Sequence, residues 1–540
     1  MRDALARISA VMTPQRLPLA GRDQVRNAAG GYVFASDLWT QVEDFLILGT
    51  AGGTYYVGED ALTVANAGVL LRAIAEDGPR LVELITEIST ARPARAPRPR
   101  PCVFALAAAA AHGDAATVQA VKAAFARVVR TTDHLAMFFG YWKNLAGKPA
   151  AGKSGSSPVI GRAMRTALAS WFAAEDVHDV AFRAVKARQR ATPSGEAMAL
   201  RDIIRIAHPA PRTPEHAVLI GWLAGRVGDD EARAVLADVD SFLAAQAATT
   251  PAAAAAVIRD RRVPWEFLSS DVLGAAEVWD ELIGTIGLTA LIRNLARMTR
   301  IGTIAPLADA TSRVTARLTD QRALARARVH PMDLYLALKA YQSAGQPVPA
   351  VTDALEDAYG LSFGNVGPSG RRLLVAVDSS GSMTGNHVLA NGTRLGSAYE
   401  VASAVATMLA RIEGTGLHVI DVDTRVHASR VTPRASLREI AGWRPSGGGT
   451  DLSLPFSWAL QRRLHVDGIV VLTDNETWAG RQHPVQALEA YRRAVNPAVR
   501  VVVVSLTPVR YLIADHDDEG VLAVAGLDAA LPKVIAGFVR

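Results

Sequence analysis

Apolar residues recur at helical spacing through most of the first 345 positions. Val69-Leu70, Ile74, Leu81, Leu84-Ile85 and Ile88 fall three or four apart, as do Leu282-Ile283, Leu288, Leu291-Ile292 and Leu295. This period predicts one amphipathic helix after another from about residue 20 to residue 345, with almost no strand. Gly, Pro and Ser cluster at 92–101, 147–158 and 208–214, where the helices must break. Short antiparallel pairs, each burying its apolar stripe on the next, build an α-solenoid.

Residues 362–371, SFGNVGPSGR, read as a linker, and beyond them the period changes. Apolar runs of strand length at 373–377, 417–422, 468–472, 501–506 and 521–527 alternate with helical stretches near 397–412, after Pro484 and from Ala529. Continuous runs joined by helical crossovers predict a mostly parallel sheet covered on both faces, a doubly wound α/β domain. The expected organisation is an all-α helical-repeat region, 1–361, the linker, and an α/β domain, 372–540.

Composition adds what the chain is not. A single cysteine, Cys102, excludes an intramolecular disulfide and a Cys-based zinc cluster, so nothing ties the chain to an oxidising compartment. The opening MRDALARISAVMTPQRLPLAGRDQ lacks the apolar core of a signal peptide, and no apolar run approaches the ~20 residues of a membrane-spanning helix. A soluble, cytoplasmic protein without membrane contact is expected.

The net charge of +6 is unevenly placed, with 19 Lys and Arg against 7 Asp and Glu between residues 91 and 212. Such an excess suits a polyanion-binding surface, and equally a solvated face of Arg-rich helices. Spacing sharpens the first option. Arg183, Lys186 and Arg190 fall at i, i+3 and i+7, and Arg201, Arg205 and His208 at i, i+4 and i+7, so each set lines one helix face.

The α/β domain carries a second candidate. Its first strand ends in VAVDSSGSM, which sets Asp378, Ser380 and Ser382 on the loop leaving the C-terminal sheet edge, where open α/β sheets bind ligands. Alternate residues of an extended loop can direct three hard oxygen donors to one side, as a divalent cation such as Mg2+ or Mn2+ requires. Further donors follow at Thr450, in SGGGTD, and Asp474, at the end of a later apolar strand. The competing reading is an ordinary Asp-Ser-Gly turn. Asp421 and Asp423 end another strand and are either support for the site or purely structural. Glu476 and His387 are near only in sequence, and no convincing nucleophile or general base stands beside them, so no catalysis is expected.

Taken in order, these loops resemble the metal-ion-dependent adhesion site of von Willebrand factor A domains. With DFLILGTAGGTYY (44–56), GLTALIRNLARMT (287–299), HPMDLYLALKAYQSAG (330–345) and LTDNET (472–477), nearly the whole chain resembles the Ro autoantigen family, whose helical region is called the TROVE module. The resemblance implies a ring of HEAT-like helices closed by the A domain. It also implies binding of small noncoding Y RNAs on a basic outer face, and of single-stranded ends of misfolded RNAs in the hole. Bacterial members work with partner nucleases, so an exoribonuclease partner is implied, as is a monomer. The family's RNA-contact helix matches KARQR here, carrying Lys186, Arg188 and Arg190, and its following segment matches IAH, carrying His208; Arg205 lies on that second ridge. The stretch between them, ATPSGEAMALRDII, is several residues longer than the family's.

One motif is set aside. GKPAAGKS (147–154) satisfies the P-loop expression, yet it follows HLAMFFGYWKNL, which reads as a helix, whereas a phosphate-binding loop must leave a buried strand. The alternative to an RNA-binding protein is a scaffold whose metal captures an acidic residue of a protein partner while the basic helices are merely solvated.

Overall fold

The computed structural model describes residues 12–27, 29–35, 38–48, 67–91, 99–146, 161–174, 176–188, 200–390, 393–506, 511–513, 518–525, 527 and 531–540. Its contacts divide the chain into two units: Leu62–Ala323 with Ala344–Ala354, and Met1–Ala61 with Leu324–Ser343 and Leu355–Arg540.

The first unit is helical. Its leading helices are α1 (Ala67–Thr90), α2 (Arg100–His112), α3 (Ala115–Val128), α4 (Thr132–Ala146), α5 (Arg162–Ala174), α6 (Val177–Arg188), α7 (Leu200–Ala207) and α8 (Pro214–Leu223). Leu70, Leu81, Ile85 and Ile88 of α1 are buried, as the spacing predicts. Pro79 lacks an N–H to continue the helix, and α1 kinks at Asp77, whose carboxylate accepts from the Arg80 amide at 2.9 Å. Each helix packs on the one two places along: α1 on α3, α2 on α4, α3 on α5, α4 on α6 and α5 on α7. Two layers result. The Ala-rich α2 is buried from Pro101 through Ala109, because small side chains let helices approach on every side. Phe104 meets Tyr141 edge to face, with centroids 5.1 Å apart. Gly113 ends α2, and Asp114 caps α3 by accepting from the Thr117 amide.

In the second unit a six-stranded sheet has the order β11-β9-β8-β3-β6-β7: β3 (Leu373–Asp378), β6 (Leu417–Val422), β7 (Val426–Ala428), β8 (Gly468–Thr473), β9 (Arg500–Ser505) and β11 (Val521–Ala525). Its first five strands are parallel, and β7 adds an antiparallel edge. Every residue of β3 and β8 is buried, so these two strands form the unbroken apolar centre read from the sequence. The same unit contains α9 (Pro331–Ser343), α10 (Ala398–Glu413), α11 (Leu454–Gln461), α12 (Pro484–Ala494) and α13 (Leu531–Val539). A hairpin, β4 (His387–Ala390) with β5 (Thr393–Ser397), sits between β3 and α10, and α9 packs on β5. Lys339 of α9 pairs with Glu400 of α10.

Two expectations change. Helix was anticipated from about residue 20, but β1 (Gln24–Arg26) and β2 (Tyr32–Ala35) are antiparallel strands, and β2 also pairs with β10 (Tyr511–Leu512). Strands of three and four residues carry too few alternations to show a period of two, and the remote partner supplies the edge that stabilises them. The 362–371 segment is also anchored: Asn365 donates to the carbonyls of Leu324 (3.2 Å) and Val329 (2.9 Å), and Ser369 binds Glu413 through its amide and hydroxyl.

Candidate metal centre and nucleic-acid interface

β3 delivers Asp378, fully buried, to the C-terminal sheet edge. Its Oδ1 accepts from the Ser380 amide at 2.9 Å and its Oδ2 from the Thr473 hydroxyl at 2.7 Å, so neighbouring β8 fixes the carboxylate's rotation. The hydroxyls of Ser380 and Ser382 lie 3.2 Å apart. Directly after β8, buried Asp474 accepts from Asn386 Nδ2 at 3.1 Å and, more loosely, from the Glu476 amide. Asn475 takes the left-handed conformation (φ 64°), which Asn tolerates better than most residues and which turns the chain sharply after Asp474.

Thr450 comes from the Gly-rich loop, laid against the loops after both β3 and β8. Gly447 N–H donates to the Ser379 carbonyl (2.9 Å), Gly381 N–H to the Gly448 carbonyl (3.0 Å), and Trp478 and Ala479 N–H to the Thr450 carbonyl (3.0 and 2.9 Å). Side chains would not fit there. A Cβ on Gly448 would stand 2.7 Å from Asp423 Oδ2, and one on Gly449 2.9 Å from the Trp478 ring.

Asp423 braces this loop. Its Oδ2 accepts from the Ser446 hydroxyl at 2.7 Å, its Oδ1 accepts from the Arg425 amide at 2.9 Å, and His427 Nε2 lies 2.9 Å from that same Oδ1. Burial alone would raise its pKa, but His427, Ser446 and the Arg425 amide outweigh it and hold the carboxyl at about 2. Asp421 accepts from the Tyr399 hydroxyl at 2.7 Å, and burial raises its pKa. Asp423 thus holds the Gly-rich loop, and Asp421 ties its strand to helix α10. His387 is engaged by Arg394 and the Gly396 carbonyl on the hairpin, and burial, then Asp474, raises Glu476.

The donor chemistry suits a hard cation. Burial and the negative charge of Asp474 push Asp378 up to about 7, against the hydrogen bonds from Thr473 and Ser380 that favour its ionised form. Two buried carboxylates close enough to repel each other, Asp378 and Asp474, ask for a compensating positive charge. Among the described residues no group of three or more His, Cys, Asp or Glu could hold a metal. Sequence reasoning missed Asn386 and the Thr473 hydroxyl; neither is a ligand type that spacing marks.

In the helical unit, α6 and α7 both lie on α4 and α8. The α7 ridge matches its sequence pattern: Leu200, Ile203, Ile204 and Ala207 are buried, while Arg201, Arg205 and His208 are exposed. Arg205 donates to the Ala224 carbonyl at 3.2 Å, and His208 ends the helix in the left-handed conformation (φ 47°) before Pro209. The α6 ridge is partly occupied. Lys186 Nζ lies 2.7 Å from Glu266 Oε1 and sits over the Phe182 ring, and Arg183 lies 3.9 Å from Asp179. Phe182 also meets Phe267, which seats the Trp265–Phe267 turn against α6. Glu266 was missed because it lies 80 positions from its lysine. The Arg188 side chain and Arg190 fall outside the described residues, as do 49–56 of the DFLILGTAGGTYY motif and all of GKPAAGKS; what precedes the latter is helix α4, not a strand.

Comparison with known proteins matches residues 372–539 to the Ro60 vWA domain and residues 258–349 to the TROVE domain. The chain is 34% identical to the RNA-binding protein RO60 of Deinococcus radiodurans over 553 residues, spanning 100% of this chain and 99% of that protein. It is 27% identical to the RNA-binding protein RO60 of Caenorhabditis elegans, over 97% of this chain and 91% of that one. The crystal structure of the D. radiodurans RO (RSR) protein superposes with a TM-score of 0.73 at 33% identity, covering 93% of this chain and 99% of that chain.

Proposed function

The chain belongs to the Ro60 family, and from that premise we propose that it is a non-catalytic RNA-binding protein that holds a small, structured, Y-like RNA on the α6 and α7 ridges. It also takes single-stranded ends of misfolded RNAs and presents RNA to an exoribonuclease for maturation or decay. The observation that carries the RNA site is the α7 ridge, with three basic or hydrogen-bonding side chains exposed over a fully apolar underside. Cations at this spacing match successive phosphates, and the released counterions drive binding. No helix among the described residues is long and apolar enough to cross a membrane, and the cytoplasmic location in this reading rests on the chain having a single cysteine, Cys102, and so no intramolecular disulfide.

The same reading gives the A domain a divalent cation, Mg2+ or Mn2+, held by Asp378, Ser380, Ser382, Thr450 and Asp474. A bound cation would supply charge neutralisation and an open coordination position for an acidic group of a partner.

Sequencing the RNA retained by the purified native protein tests the function. One discrete, structured small RNA is expected; no enriched RNA would favour the metal-dependent protein scaffold instead. Glu266 offers a finer check, because its carboxylate already occupies Lys186 as a phosphate would. Glu266→Gln is expected to tighten RNA binding about fivefold, the scale of a partly exposed ion pair, and that gain should vanish in a Lys186→Ala background.

A further inference from the structure

We propose that the N-terminal segment, residues 13–32, is a positioning element for the metal centre, docked by Gln15 so that cation binding and segment docking stabilise each other. The inference rests on the metal reading given above. Gln15 is fully buried although its neighbours in sequence are exposed. Its Nε2 donates to Asp451 Oδ1 at 2.8 Å and to the Gln482 carbonyl at 3.0 Å, and its Oε1 accepts from the Thr477 hydroxyl at 2.6 Å. Asp451 directly follows Thr450, and Thr477 stands three residues after Asp474. One amide therefore spans the two loops that bring donors to the cation.

The backbone repeats the connection. Gln15 N–H donates to the Gly480 carbonyl (3.0 Å), and Tyr32 N–H donates to the Gln15 carbonyl (2.7 Å). Asn27 Nδ2 donates to the Thr477 carbonyl at 2.9 Å, and Arg16 stacks on Trp478 with its guanidinium carbon 4.6 Å from the ring centroid. Thr477 in turn joins the loops to each other, since its hydroxyl accepts from the Leu452 amide at 3.2 Å. Two glycines make the approach possible. A Cβ on Gly480 would stand 2.2 Å from Gln15 Nε2, and one on Gly31 2.0 Å from the Thr477 carbonyl oxygen. A segment needed only to cover apolar surface would not require a buried amide with both its donors and its oxygen engaged on these two loops.

Groups that orient metal-bearing elements from behind are typically worth about ten- to a hundredfold in affinity. Coupling is reciprocal, so the cation must hold the segment by the same factor that the segment holds the cation. The test titrates Mn2+ into the full chain by electron paramagnetic resonance, comparing wild type, Gln15→Ala and Asp378→Ala, with circular dichroism verifying the fold. About tenfold weaker Mn2+ binding in Gln15→Ala is expected, with loss in Asp378→Ala. In parallel, Mn2+ should slow hydrogen exchange at the Gln15 and Tyr32 amides of the wild type, a readout that stands even if Gln15→Ala fails to fold. Loss of binding in Asp378→Ala alone, with Gln15→Ala equal to wild type, overturns the coupling and leaves the metal centre. Amide exchange indifferent to Mn2+ overturns it likewise. A wild-type chain that binds no Mn2+, or binds it independently of Asp378, overturns the metal reading and the coupling with it.

Discussion

The Lys186→Ala/Arg190→Ala/His208→Ala variant is expected to bind a small structured RNA about a hundredfold more weakly than the wild type near 0.15 M salt, with its fold intact. Each cation that neutralises a phosphate contributes about 0.9 to the slope of log affinity against log salt. Removing the two permanent charges should therefore flatten that slope by about two. Stability should hardly change, because His208 is exposed and the Lys186–Glu266 pair is partly solvated. Titrations between about 50 and 200 mM salt separate the causes. Weaker binding with an unchanged slope would place the lost contacts on bases rather than phosphates, and unchanged binding would remove these residues from the interface.

The second large effect is expected at the A domain. Saturating Mg2+ or Mn2+, at about a hundred times its dissociation constant, should raise the unfolding free energy by about 2.7 kcal/mol. Asp378→Asn should abolish that increment while costing the metal-free protein about 1 kcal/mol or less. The asymmetry follows from the site. In the metal-free chain the Asp378 charge is buried beside Asp474, so removing it relieves a cost even as its hydrogen bonds to Ser380 and Thr473 are weakened. Calorimetry with and without the cation reads both numbers. An equal cation effect in wild type and variant would move the metal elsewhere.

Much of this was legible along the chain because the signals are local. A buried parallel strand needs a continuous apolar run, so β3 and β8 stand out, and the first carboxylate after each run, Asp378 or Asp474, is the residue the pattern marks as a candidate ligand. The α7 ridge is likewise an eight-residue pattern, buried on one face and basic on the other. What escaped was nonlocal. β1 and β2 depend on β10, almost 480 residues away, and QVR carries no period of its own. Gln15 looks like any polar residue of a Pro-rich opening until Asp451 and Thr477 arrive beside it. Lys186 reads as a free cation until the Trp265–Phe267 turn brings Glu266 to it. In each case the chemistry of one side chain was visible, and its partner was set by tertiary packing that no window of sequence contains.

The most direct test of the central claim is to crosslink the native protein to its retained RNA with ultraviolet light and identify the crosslinked peptides by mass spectrometry. Crosslinks concentrated in residues 177–208, and depleted when Lys186, Arg190 and His208 are replaced, are the predicted result. Crosslinks confined to other segments, or equally abundant in the variant, would contradict it.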